Sequence, residues 1–284
     1  MLLYLGIFLG LLSMISYGVM DFIMAHVSRK IGALRTSFWI MLITLLGFIA
    51  ASVFLYQQHT YTSYDIILII LTGLVSVIGL VSFNKGLEAG NISIVTTIAS
   101  GWGVISVVLS YIFLDEHIGY LQIFYIGIII LGTILASLEI NNVLHKPKRS
   151  AGIAYAFITV MGWGVFFFLT ALLIEKFGWF DGSMLTLPFT VLGIFIVSRF
   201  LKVKLHQTKH ALPILLLISA LNIIGYVAYS IAVSYSYADI VAPIVAAAPI
   251  ITIMLALIRL KEKISLNQKI GIGITLIGII LLSV

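Results

Sequence analysis

The chain has 284 residues with a formal net charge of +6, 62% hydrophobic and only 9% charged residues, and a mean hydropathy of +1.21. A soluble domain carries about 25% charged residues to keep its surface wet, so this composition excludes an ordinary globular protein and predicts a surface solvated by lipid. There is no cysteine, so disulfides are excluded and the redox compartment cannot be argued.

Spans of about 20 apolar residues cross the hydrocarbon of a bilayer. Ten are predicted in chain order, over residues 3–25, 34–56, 65–87, 92–114, 119–138, 152–174, 183–201, 211–233, 239–258 and 267–283. Backbone groups in lipid must pair within their own segment, so each span is expected to be a helix. The unbroken apolar runs lack the alternation of a barrel strand. The apolar N-terminus has no basic leader and aligns with the internal span near Gly152, so it is expected to be a retained span rather than a signal peptide.

A shift of 146 residues lays the chain on itself. Gly6, Gly18, Gly32, Gly47, Gly79, Gly127 and Gly132 fall on Gly152, Gly164, Gly178, Gly193, Gly225, Gly273 and Gly278. The fold class expected is therefore an all-α membrane protein of ten transmembrane helices, built as two five-helix repeats over 1–140 and 151–284, with a linker loop at 141–150. Each copy has an odd number of spans, so the second must enter the membrane inverted. Charge agrees: every Lys and Arg except Lys176 falls in alternate loops on one side, led by Arg29, Lys30 and Arg35 in the first and by Lys202 and Lys204 in the seventh. Basic loops stay cytoplasmic, which puts both termini outside the cytoplasm. The net charge thus records topology, and no nucleic-acid partner is expected.

The aromatic-Gly pairs Tyr17-Gly18 and Trp163-Gly164 stand at equivalent places in the two copies. So do Glu116, Gln122, Gly127 and Gly132 against Glu262, Gln268, Gly273 and Gly278. On these residues the chain resembles the drug/metabolite transporter superfamily, specifically its EamA-type family, over nearly its whole length. It departs from the family pattern at Thr97 and Gly103, where the second copy keeps Pro243 and Pro249, and at Asp115 and Lys261, where Gly usually precedes Glu. The resemblance implies a transporter, and relatives with ten helices tend to have cytoplasmic termini, opposite to the charge bias.

Several side chains are candidates for substrate binding. Tyr17 and Trp163 fall near the midplane and either line a cavity or pack against lipid and neighbouring helices. Asp21 lies one helical turn after Tyr17 on the same face. An ionisable residue within a span is costly and marks a functional site by default; the other reading is an interfacial Asp close to Arg29. Facing a cavity, Asp21 would take up a proton in exchange for substrate or neutralise an organic cation beside aromatic faces. Asn84 and the stripe Asn222, Tyr226 and Tyr229 must point into the bundle, as substrate contacts or as interhelical glue. Trp102, between Gly101 and Gly103, marks a kink or close packing. Glu116 and Glu262 read as interfacial, Lys85 and Glu88 as a membrane-edge pair, and Ser93 and Asp239 as N-caps. Pro188, Pro213, Pro243 and Pro249, all in the second half, are expected to bend its helices.

No Walker motif, serine-hydrolase signature or metal-ligand spacing is present, so neither catalytic residues nor a cofactor is expected. The function expected is secondary active transport of a small organic metabolite, an amine or organic cation or an amino acid, by alternating access with protons as coupling partner. The alternative is a membrane-embedded scaffold or lipid scramblase-like protein. Membrane lipids and the solute are the partners, and the chain is expected as a monomer or weak homodimer in the cell membrane.

Overall fold

Polar backbone that leaves water must pair within its own segment, and apolar runs of this length do so as helices. The computed structural model describes residues 2–90, 92–113, 119–137, 147–206, 209–236, 238–260 and 266–282. They form α1 (Leu2–Ile31), α2 (Ala33–Leu55), α3 (Ser63–Ala89), α4 (Ile92–Ser100), α5 (Trp102–Phe113), α6 (Tyr120–Ser137), α7 (Pro147–Met184), α8 (Leu187–Phe200), α9 (Leu212–Tyr235), α10 (Ala238–Ala246), α11 (Pro249–Leu260) and α12 (Leu266–Leu282). No strand occurs among the described residues. Five helices, α1, α2, α3, α7 and α9, are long and apolar enough to cross a membrane, and shorter apolar helices make up the rest. Of the connecting segment 141–150, residues 141–146 lie outside the described residues and α7 starts at Pro147. Glu116 and Glu262, and the side chains of Ser93, Asp239, Gln122 and Gln268, also lie outside the described residues.

The shorter helices arise where a span breaks. The fourth span divides at Gly101 into α4 and α5, and its equivalent divides at Ala247 and Ala248 into α10 and α11. Both breaks tighten to bonds three residues apart: Gly101 N–H donates to Ile98 O, and Ala248 N–H donates to Val245 O. In one copy the break is a glycine pair around Trp102; in the other Pro249, which has no N–H to give, opens the second segment. The proline expectation therefore holds only in part. Pro188 and Pro213 sit in the first turn of α8 and α9, where the missing N–H costs nothing, and start helices instead of bending them. Pro243 lies inside α10.

Gly32 and Gly178 are repeat equivalents and share one backbone state, φ 93° and 77°. Each turns the end of one span into the next, Gly178 as a kink inside α7. An L side chain is strained there, so Gly178→Ala is expected to lower stability by about 1 kcal/mol. A thermal melt of the purified protein checks it; Gly178→Asn should lose as much, because ψ 166° lies outside the left-handed helical region that asparagine tolerates.

The copies interlock. α1 packs along α9 and α3 along α7, and α6 packs on α12. Along α1, Gly6 faces Ser236 while Tyr17 covers Gly225, and Ser13 Oγ donates to Gly225 O at 2.8 Å, so the two helices run antiparallel. Shifting each contact by 146 reproduces the other side: Gly90 meets Gly152, and Trp163 covers Gly79. The equivalent helices α6 and α12 touch each other antiparallel, Gly132 on Thr275 and Gly278 on Ile129.

Loops collect at two ends. At one end, Arg29 donates to Leu87 O and Gly90 O, and Arg35 donates to Lys204 O, so the basic first, third and seventh loops lie together. At the other end Asp181 accepts from Gln57 N–H, joining the second and sixth loops. The expected Lys85–Glu88 pair does not form. Lys85 reaches over the Tyr155 ring, and Glu88 accepts from Ala33 N–H, one of the donors that the first turn of α2 leaves without a helical partner.

Candidate functional site

Between the two units lies a cavity of about 840 Å³ including its opening. Both broken spans and the middles of α1, α3, α7 and α9 form its wall. On α1 the wall residues are Tyr17, Met20 and Asp21; on α7 they are Trp163, Phe166 and Phe167. Spacing of three and four residues puts each set on one helix face.

The wall repeats in position and differs in chemistry. Nine pairs of wall residues are equivalent under the 146-residue shift: Tyr17 and Trp163, Met20 and Phe166, Asp21 and Phe167, Met41 and Leu187, Ser76 and Asn222, Leu80 and Tyr226, Ala99 and Val245, Ser100 and Ala246, Trp102 and Ala248. None of the nine pairs carries the same residue twice. The glycines that let helices approach are duplicated, whereas the surface offered to a ligand is not.

Aromatic rings form most of the enclosure. Trp102 stacks on Phe167 with centroids 4.1 Å apart, and Trp163 lies 4.6 Å from Phe83. Phe166 touches both Phe167 and Tyr226. Gly79 and Gly225 have no Cβ, and that gap is what admits the Trp163 and Tyr17 rings between antiparallel helices.

Asp21 is buried, 7% exposed, and has no hydrogen-bond partner among the described residues. Among the described residues no Lys, Arg or His stands in the wall, and Arg29 is spent on backbone carbonyls. The interfacial pairing of Asp21 with Arg29 is therefore not what forms. Burying a lone carboxylate is costly, so a proton or a bound cation must neutralise it. Three of the other polar wall groups spend a donor within the protein. Ser76 Oγ donates to Gly73 O and meets Thr190 Oγ1, Thr96 Oγ1 donates to Ile92 O, and Asn222 Nδ2 donates to Thr44 Oγ1 at 3.0 Å.

Of the candidates read from sequence, Tyr17, Asp21, Trp102, Trp163, Asn222 and Tyr226 come together in this wall. Asn84 and Tyr229 do not. Asn84 is fully buried: its Oδ1 accepts from Ser28, and its Nδ2 donates to Ser37 Oγ and Leu80 O, fastening α1, α2 and α3. Tyr229 lies behind the wall, its ring edge-on to Phe167. The polar stripe on α9 points inward as expected, and its far end serves as packing. Asn84→Leu takes away the acceptor of the buried Ser28 hydroxyl, while Ser37 keeps its bond to Ala33 O, at a cost of about 1–3 kcal/mol. The expected result is a lower melting temperature with unchanged ligand affinity, measured on the same preparation. Phe83, Phe166 and Phe167 are wall residues that the sequence reading missed. The 146-residue shift, applied to Met20 and Asp21, points at the last two.

The family model described as the EamA-like transporter family matches twice, over residues 4–138 and 150–284. The uncharacterized protein MJ1333.1 of Methanocaldococcus jannaschii is 30% identical over 122 residues, 43% of this chain and 88% of that protein. A length of 122 residues is close to one of the two matched units. A crystal structure of a protein at 13% identity superposes with a TM-score of 0.74, covering 97% of each chain, which is a likeness of fold.

Proposed function

The chain belongs to the EamA-like transporter family, a multi-pass membrane protein, and from that premise we propose that it carries organic monocations across the membrane by alternating access, in exchange for protons at Asp21. The single observation behind the substrate class is the unpaired Asp21 carboxyl in an aromatic wall without a basic side chain. An ammonium group would sit between that carboxylate and the ring faces, which attract cations through their quadrupole. An amino acid would bring a carboxylate of its own with nothing positive to meet it. The Ser76 and Thr96 hydroxyls donate to backbone carbonyls and so turn acceptor lone pairs to the wall, which also suit an N–H-bearing head.

The ten spans are read as two inverted five-helix units. Antiparallel contact between the equivalent helices α6 and α12 supports this, as does the gathering of basic loops at one end. That end is assigned to the cytoplasm, which leaves both termini outside. A central site between inverted units, walled by broken helices, is the arrangement in which one unit tilts against the other.

Flux into proteoliposomes tests the reading. Phenethylamine and benzyltrimethylammonium are expected to enter against an outward proton gradient, with phenylalanine much slower. Phenylalanine flux equal to that of phenethylamine would overturn the substrate class.

A further inference from the structure

Arg35 and Asp181 are equivalent under the 146-residue shift, and they do equivalent things at opposite ends of the molecule. Arg35, in the first unit, donates from Nε to Lys204 O in the loop between α8 and α9 of the second. Asp181, in the second unit, accepts at Oδ2 from Gln57 N–H and from His59 Nε2, both at 3.1 Å, in the loop between α2 and α3 of the first. Each end is thus tied across the two units at the same place in the repeat. The chemistry differs. The basic end is held by Arg35 and by Trp39 Nε1 donating to Leu205 O, side chains that keep one charge state across the physiological range. The opposite end is held by an imidazole on a carboxylate.

A second tie strengthens the contrast. Lys176, the one Lys or Arg that the sequence puts on that side, pairs with the buried Asp65 across the same two units. Their repeat equivalents are Lys30 and Ala211, so the basic end has no such pair. The charge rule left Lys176 without a reason; the tie supplies one.

We infer that His59 and Asp181 form a proton-binding site, separate from Asp21, that locks the two units together at the end opposite the basic loops. Asp181 is 2% exposed and its Oδ1 is buried without a partner among the described residues, while His59 is reachable from solvent at 18%. A proton arriving through His59 therefore places a full charge against a carboxylate whose surroundings are short of one. Histidine changes charge between about pH 5 and 8. Protonated, His59 adds an ion pair to the hydrogen bond and the end is held shut. As pH rises through that range the charge goes and the tie weakens, so stability of the closed end is present at acid pH and lost toward alkaline pH.

Other groups face the pair. Lys176 on α7 lies over the Phe177 ring and is engaged by Asp65 of α3. The Phe177 ring also stands edge-on to His59. In the loop, burial and the neighbouring Tyr56 push the Tyr61 hydroxyl above its usual range, so it stays neutral. The inference rests on the reading that the units tilt about a central site, because only then must ties across them break in each cycle.

The cysteine-free chain allows a direct test. Spin labels at Gln58→Cys, on the tied loop, and Tyr235→Cys, at the same end of the second unit, report the separation without substrate. The short distance is expected to dominate at about pH 5.5 and to fall several-fold in population at about pH 8. His59→Gln should remove the pH dependence while the protein remains monodisperse, and His59→Lys should keep the short distance at both pH values. A pH shift that survives His59→Gln, or no shift in the parent, overturns the inference. Because the labels report without cargo, a failed flux panel with an intact pH shift would sink the substrate reading and leave the lock standing.

Discussion

Asp21→Asn is expected to raise the dissociation constant for an aromatic ammonium by about 30-fold or more. Removing one partner of a desolvated charge pair costs about 2–5 kcal/mol, and each 1.4 kcal/mol is tenfold. The asparagine is nearly isosteric and has no buried charge to neutralise, so the melting temperature should hold or rise. Flux should lose its dependence on the proton gradient at the same time, since the wall has no second carboxylate among the described residues. Asp21→Glu should keep the coupling and weaken affinity, because the longer side chain pushes the cation off the rings. Titration calorimetry on the purified variants gives affinity, and flux with and without a gradient gives coupling. Unchanged affinity in Asp21→Asn would take the carboxylate out of the site.

Gly79→Val should have the largest structural effect. A Cβ at Gly79 would overlap the Trp163 indole, which also lies against Phe83, one turn along the same helix. Overpacking a tight contact costs about 1–3 kcal/mol, and here the strain falls on the long α3–α7 contact between the units. The ring that must move is also a wall of the cavity, so stability and ligand affinity should fall together. Gly225→Ala, at the equivalent place, brings its Cβ to 3.0 Å from the Tyr17 ring, a milder conflict. A melt series of Gly79→Ala, Gly79→Val and Gly225→Ala should therefore rank Gly79→Val worst and Gly225→Ala mildest. Equal melting temperatures for the two alanine variants would mean that the copies are packed alike, against the contacts described here.

Both outcomes depend on features that differ in how readable they were from the chain. Asp21 stood out because a carboxylate in an apolar span has few structural uses, and its place in the cavity wall follows from helix spacing with Tyr17. The stripe Asn222, Tyr226 and Tyr229 was read as one unit, yet only Asn222 and Tyr226 reach the wall. Helical periodicity says which residues share a face; it does not say how far along that face the neighbouring helix leaves room. Asn84 shows the same limit. Polarity required it to point inward, and only the positions of Ser28 and Ser37 on two other helices made it a fastener.

By itself the sequence determined the lipid-facing composition, the duplication at a fixed offset, the glycines that allow close helix approach and the one-sided basic loops. These are properties of a linear pattern, since lipid solvation and positive charge act on each span almost independently of its neighbours. The tertiary structure decided which unlike residues of the two copies share one cavity, and that Asp181 and Arg35 each hold the other unit's loop. Those outcomes hang on distances between helices far apart in the chain, where an ångström separates a wall residue from a packed one.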